Sequence, residues 1–222
     1  MAYRSVIVRY LDPGDALGEA LFGLIMALTF SVGARLVASG GERDARALIL
    51  AAIGCNVAWG VIDATLFVFG GLFHRSQRAR FFRAVRSARS EEEALAAIQE
   101  EFALEDEPLT VVREDHVRLH RSILALSSHA APARVRLRRR DLVSALLVFG
   151  LVAFTGLPGV IPFLLLDDFH RALDLANIVL VCLLFLVGFW WGHYTDARPW
   201  TVGVTVLLLG LSMVLVAVAL GG

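Results

Sequence analysis

The sequence has few of the residues that build covalent or catalytic centres. Its two cysteines, Cys55 and Cys182, both fall within apolar runs, so we expect buried thiols rather than a disulfide framework. It shows no metal-ligating cysteine spacing, nucleophile–base pair or phosphate-binding loop, and we therefore do not expect an enzyme. The N-terminal stretch lacks a secretory core, a cleavage site and a lipidation motif, so membrane insertion must depend on the apolar segments themselves.

Lysine is absent, and all 21 basic residues are arginine, balanced by 21 acidic residues. Fourteen of the arginines fall between residues 74 and 140. The placement of charge is therefore informative even though the net charge is zero. Apolar residues are abundant, since 57% of the 222 residues are hydrophobic and the mean hydropathy is +0.68. These values predict a polytopic membrane protein rather than a water-soluble domain.

Five apolar segments are long enough to cross a bilayer, at about residues 13–37, 47–73, 142–166, 173–194 and 199–220. They predict an all-α protein in three parts: two spans within residues 1–73, a helical domain at 74–140, and three spans within 141–222. Arginine on both flanks of the middle part predicts, by the positive-inside rule, that this domain and the N-terminus are cytoplasmic and the C-terminus is outside. We expect a multi-pass protein of the cell membrane.

The second span carries two polar residues, Asn56 and Asp63, in its apolar interior. A carboxylate at membrane depth needs a partner, a cavity or a proton, so we interpret Asp63 as functional, with simple hydrogen bonding to neighbouring helices as the alternative. Asn56 lies one heptad earlier on the same helix face, and for it we prefer the structural interpretation.

The first span carries Glu19 and Met26 on one face. Glu19 is either an interfacial acid that snorkels or pairs with an arginine, or a member of a transport pathway. If the pathway exists, we expect Glu19 and Met26 to line it together with Asn56 and Asp63.

The third span contains two prolines, Pro158 and Pro162, one helical turn apart and close to Gly156 and Gly159. Proline has no amide hydrogen, so these residues predict a broken or kinked span with unpaired carbonyl groups. Such carbonyls can line a cation path, although a kink that only shapes packing is an equal alternative.

The arginine-rich segment predicts two short helices. Ser90 followed by Glu93 forms a capping box that starts the first helix, and an amphipathic pattern places the second at about residues 110–128. His116 and His120, with Glu114 nearby, form a candidate metal site, although a histidine on the apolar side of a helix is more often simply packed.

Arginines also mark both points where this segment meets the spans, and they are Arg75, Arg78, Arg138, Arg139 and Arg140. Basic residues next to a span favour contact with anionic lipid headgroups. Nucleic-acid binding is not expected, because no recognised binding motif accompanies the charge.

Four local stretches carry a resemblance: GLIMALTFSVGA in the first span, NVAWGVIDA in the second, GLPGVIPFLL in the third and GHYTDARPW between the last two. Together with the order of the spans, they resemble a divergent, bacterial-type member of the VIT (vacuolar iron transporter) family. The resemblance implies a homodimer that exports Fe²⁺, Mn²⁺ or a similar divalent cation from the cytoplasm in exchange for protons, without a resident cofactor.

The sequence departs from the family at several expected metal ligands. Aligned by eye, the family's span-one aspartate falls on Phe22, its span-two glutamate on Asn56 and its span-two methionine on Ala64. The first helix of the middle domain is arginine-rich here, whereas it is glutamate-rich in the family. A non-transporting interaction or sensory protein anchored in the membrane is therefore the alternative function.

Overall fold

The computed structural model describes residues 10–37, 42–102, 113–129 and 134–220. Within these ranges the protein is all-α and has no strand, as the sequence predicts. The helices are α1 (Pro13–Val37), α2 (Glu42–Ser87), α3 (Glu91–Glu101), α4 (Arg113–His129), α5 (Arg139–Thr155), α6 (Ile161–Leu165), α7 (Phe169–Gly192) and α8 (Pro199–Ala219). A 3₁₀ turn at Leu157–Gly159 separates α5 from α6.

Five helical segments of the described chain are long and apolar enough to cross a membrane: Pro13–Arg35, Arg46–Ser87, Arg139–Gly159, Phe169–Gly192 and Pro199–Ala219. They confirm the five predicted spans. The fourth begins four residues earlier than predicted, because Asp168 caps α7 by accepting a hydrogen bond from the Arg171 amide at 3.0 Å. The first three residues of the helix predicted at 110–128 lie outside the described residues.

Side-chain caps also begin two other helices, and the sequence predicts the one at Ser90. The Asp12 carboxylate accepts a hydrogen bond from the Gly14 amide at 2.8 Å, just before α1. Ser90 accepts one from the Glu93 amide at 3.2 Å, as in a capping box. In a capping box the carboxylate at the third position accepts a hydrogen bond from the amide of the cap residue. Here the Glu93 carboxylate instead accepts one from the Arg89 amide, at 2.8 Å.

The chain divides into two compact units, and the division falls inside α2. One unit comprises residues 1–68 and 139–222, and we call it the span unit. The other comprises residues 69–138, and we call it the arginine-rich unit. The core of the arginine-rich unit is made by the buried Val85, Ala94 and Ile98 from the end of α2 and from α3, against which Ile123 and Leu124 of α4 pack.

Leucines from α1 and α7 form the main core of the span unit, closed by Val214 of α8. Glycine makes close approach of the helices possible here, because a Cβ at Gly210 of α8 would lie 2.5 Å from a methyl carbon of Leu184. Burial differs among the spans: in the most apolar window 39% is buried in the first span, 33% in the third and the fourth, and 17% in the second and the fifth.

Candidate functional site

Glu19 on α1 lies about one turn before Phe22, and Asp63 on α2 lies about one turn after Trp59. Because the rings of Phe22 and Trp59 meet and Asn56 bonds to Gly23 on the other side of them, Glu19 and Asp63 lie at the same level of the contact between α1 and α2. Asp15, one turn before Glu19, adds a third negative charge to its surroundings. One oxygen of Asp63, Oδ2, is buried and has no hydrogen-bond partner among the described residues. Two separate spans thus bring two acids together at a point where neither carries an ion pair with a described arginine.

Asn56 is 2% exposed and joins three spans. Its Nδ2 group donates to the carbonyl oxygen of Gly23 on α1 and to that of Val152 on α5, both at 3.2 Å. Its Oδ1 atom is buried without a partner among the described residues. These contacts agree with the structural interpretation of Asn56, since its amide fastens α2 to the two neighbouring spans.

Small residues permit this three-helix contact. A Cβ at Gly23 would lie 2.6 Å from the Val152 carbonyl oxygen, and one at Gly156 would lie 2.5 Å from the Asn56 amide nitrogen. Farther along α2, a Cβ at Gly60 would lie 3.0 Å from the Phe149 carbonyl oxygen. Glycine is needed at these positions because the backbones approach too closely for a side chain.

Aromatic and apolar side chains occupy the two other positions at which the resembled family has ligands. Phe22 is 46% exposed, and its ring meets that of Trp59 edge-on at a centroid distance of 5.7 Å. Ala64 packs against a buried cluster that includes Val148. Met26, predicted to line the pathway, is partly buried on α1. Among the described residues, the side-chain oxygens left between the first two spans near these positions are therefore the carboxyl groups of Glu19 and Asp63 and the Oδ1 atom of Asn56.

The third span is broken at its prolines, as predicted. The Gly159 amide donates to the Gly156 carbonyl at 3.0 Å, and the Val160 amide donates to the Leu157 carbonyl at 2.8 Å. These are i to i−3 bonds, so the helix tightens into a 3₁₀ turn before α6 begins. The break lies next to Asn56, because Gly156 touches its amide.

The histidine pair of α4 lies in a packed setting. His120 is 8% exposed, and its Nε2 atom lies 3.4 Å from the Phe102 carbonyl oxygen. The ring centroids of His116 and His120 are 6.4 Å apart, and Glu114 is exposed. In the described ranges no group of three or more His, Cys, Asp or Glu side chains is arranged to hold a metal ion. Metal binding by this pair stays a prediction.

The five arginines predicted to contact lipid differ in their surroundings. Arg78, Arg138, Arg139 and Arg140 are exposed, whereas Arg75 is partly buried. Arg75, Arg138 and Arg140 also interact with other residues of the chain. Arg78 and Arg139 are thus the clearest candidates for lipid contact.

Sequence reasoning missed the ion pair between Arg35 at the end of α1 and Asp174 near the start of α7. The two residues are far apart in the sequence, so only the packing of the spans reveals that they meet. A second charged group lies just before the start of α7: the hydrogen bond from the Arg171 amide lowers the pKa of Asp168, the residue that caps this helix.

An all-α protein with five membrane-spanning helices and an acidic pair between the first two of them belongs, by architecture, to the class of helical polytopic membrane proteins. Residues 72–222, more than half of the chain, match the model of the VIT family, and the chain belongs to that family. A search of the curated proteins finds no match. The matched region contains the last three spans and nearly all of the arginine-rich unit. It begins after Glu19, Asn56 and Asp63.

Proposed function

We propose that this protein carries a divalent metal cation across the membrane in exchange for protons. The observation that carries the proposal is that Glu19 and Asp63, from two separate spans, lie at the same level of the contact between α1 and α2. Acidic residues inside membrane spans ordinarily mark ion or proton pathways, because they are costly there without such a role. Membership of the VIT family, whose members are transporters rather than enzymes, supports the same activity.

The chemistry of the site favours hard or borderline cations. Carboxylate oxygens suit Fe²⁺, Mn²⁺ and Mg²⁺ better than soft ions. The nitrogen of the Asn56 amide donates to two carbonyl groups, so this residue positions the second span, and its buried Oδ1 atom is a neutral oxygen that carries no charge to hold a cation by itself. We therefore assign the cation to Glu19 and Asp63, with water completing its coordination.

Exchange follows from competition for the same two acids. A divalent cation neutralises both carboxylates, and protons do so when the cation leaves. Because the two states exclude each other, metal moving in one direction drives protons in the other. We propose export from the cytoplasm, with Fe²⁺ or Mn²⁺ as the cargo.

The surroundings of the protein are part of the proposal. The arginines at 75–89 and 134–140 favour a cytoplasmic position for the arginine-rich unit, with the N-terminus on the same side. The exposed apolar side chains of α2, including Leu66 and Phe69, are 61% and 64% accessible and face either lipid or a second copy of the chain. We propose a homodimer in the cell membrane.

The test is metal-driven proton flux in proteoliposomes loaded with a pH-sensitive dye, with Mn²⁺ as the probe. We expect Asp63→Asn and Glu19→Gln each to abolish most of the flux. The matched control is Asp196→Asn, which removes an exposed carboxylate from the turn between α7 and α8. Equal flux in all four proteins would remove the acidic pair from the mechanism.

A second function is favoured by the absence of a three-ligand group from the described residues and by the exposed arginines. In this reading the protein is a membrane-anchored interaction or sensory protein that holds anionic lipid. Native mass spectrometry of the full chain then shows retained anionic lipid that decreases with salt, because screening weakens exposed charge pairs. The Arg78→Gln, Arg139→Gln double variant loses it. Retained lipid with no metal flux favours this function over transport.

A further inference from the structure

A small cavity lies at the break in the third span. Its volume is about 20 Å³, and it is lined by α1, α2, α7 and the segment from Gly156 to Phe163. Its lining includes Ser31, Ala27, Ala52 and Leu180. The cavity belongs entirely to the span unit, and it is separate from the pair of acids described above.

Ser31 is the polar side chain of this lining, and its hydroxyl group has no hydrogen-bond partner among the described residues. The residue is only 5% exposed. Hydroxyl groups in helices ordinarily bond to a carbonyl one turn earlier. The neighbouring Thr29 does so, donating to the Ile25 carbonyl at 2.9 Å, and Thr155 does so at 2.6 Å to Leu151. The Ser31 hydroxyl group does not make this bond within its own helix, so it is able to bond to a group outside the helix.

The break supplies polar backbone on the opposite side of the cavity. Gly156 and Gly159 both line it, and neither has a side chain, so their contribution is backbone alone. The Gly156 carbonyl oxygen accepts one hydrogen bond, from the Gly159 amide at 3.0 Å. A carbonyl oxygen has two lone pairs, so this one can accept a second hydrogen bond from a water.

Volume and chemistry identify the occupant. A cavity that holds one water needs at least about 10–15 Å³ and two to four polar partners. The volume of this cavity exceeds that minimum, and the Ser31 hydroxyl group and the Gly156 carbonyl oxygen provide two partners. A divalent cation requires several oxygen ligands and compensating charge, and the lining contains no carboxylate. We propose that one water molecule binds in this cavity, held by the Ser31 hydroxyl group and the backbone of the proline break.

Other buried polar atoms without partners among the described residues lie on α2, one of the helices that line this cavity. Gly156 separates the cavity from the Asn56 amide, and Asp63 lies one heptad from Asn56 on α2. Asp63 Oδ2, Asn56 Oδ1 and Ser31 Oγ are all buried without partners among the described residues. We expect this water to serve as one hydrated position for protons on the far side of Asn56 from the acidic pair. This consequence rests on the proposed function, whereas the water site itself does not.

The sign of a stability change tests the site. If water bonds to Ser31, Ser31→Ala deprives that water of a partner and lowers the Tm of the purified protein by about 2 °C or more. If the hydroxyl group is dry, the same substitution removes an unsatisfied buried group and raises the Tm. Thr29→Ala, in the same helix, is the matched control. A rise for Ser31→Ala overturns the proposal, as does a crystal structure without a solvent peak beside Ser31 Oγ.

Proton flux tests the consequence separately. We expect Ser31→Ala to slow Mn²⁺-driven proton flux about fivefold relative to Thr29→Ala, the effect of one lost hydrogen bond on a barrier. A lowered Tm with unchanged flux supports the water site and overturns its role in proton movement. A wild type that moves no metal overturns the proposed function, and the Tm comparison then still decides the water site.

Discussion

The Asn56 amide fastens the second span to its neighbours, and its removal provides a quantitative test of how these spans are held together. Asn56→Ala removes two hydrogen bonds, to the carbonyl groups of Gly23 and Val152, from a side chain that is 2% exposed. Hydrogen bonds between membrane helices contribute modestly, so together with the lost packing we expect a loss of about 1–3 kcal/mol in the free energy of unfolding. For a chain of this size, that corresponds to a fall of roughly 2–10 °C in Tm.

A double-mutant cycle with Gly156 makes the test specific. A Cβ at Gly156 would lie 2.5 Å from the Asn56 amide nitrogen. Gly156→Ala should therefore cost more in the wild type than in the Asn56→Ala protein, where that nitrogen is gone. The coupling energy measured from thermal unfolding of the four proteins should be about 1 kcal/mol. Strict additivity, or an Asn56→Ala protein as stable as the wild type, would refute the three-span contact.

Two further predictions concern the ends and contacts of the last spans. Gly210→Val should lower the Tm by about 2 °C or more, because the new valine side chain meets Leu184. Gly70→Ala should leave the Tm unchanged or raise it, because nothing lies within 4 Å of the added carbon. The pKa of Asp168 is lowered by the Arg171 amide bond, so its cap stabilises the folded protein above the ordinary aspartate pKa and loses that contribution as the pH falls through the lowered value. The stability of the wild type should therefore decrease relative to that of Asp168→Asn below about pH 4. Thermal unfolding of both proteins over a pH series measures this difference. Parallel curves of Tm against pH for the two proteins would contradict the cap.

The spans were predictable because long apolar runs have few structural alternatives, and the break in the third span was predictable because proline lacks the amide that a helix requires. The cap at Ser90 was equally predictable, since it depends only on local sequence. The proximity of Glu19 and Asp63 was only a hypothesis, because a helical face does not identify the helix that will cover it.

Other parts of the site were beyond prediction for the same reason. The partners of Asn56 are backbone carbonyl groups, which every residue has, so no residue pattern points to them. The ion pair of Arg35 with Asp174 depends on how α1 and α7 align. The free hydroxyl group of Ser31 has no signature at all, because Thr29, two residues earlier, makes the ordinary bond to its own helix.

The unequal packing of the spans has a mechanical consequence. Glycine contacts lock α7 and α8 together so closely that sliding one past the other would drive Leu184 into the backbone of its neighbour. The second span, by contrast, is anchored at a few points around Asn56 and Gly60. In the transport cycle proposed above, we expect the contact between α7 and α8 to stay fixed and the helix that carries Asp63 to shift against α1 and α5. Asp63 would then change its position together with that helix.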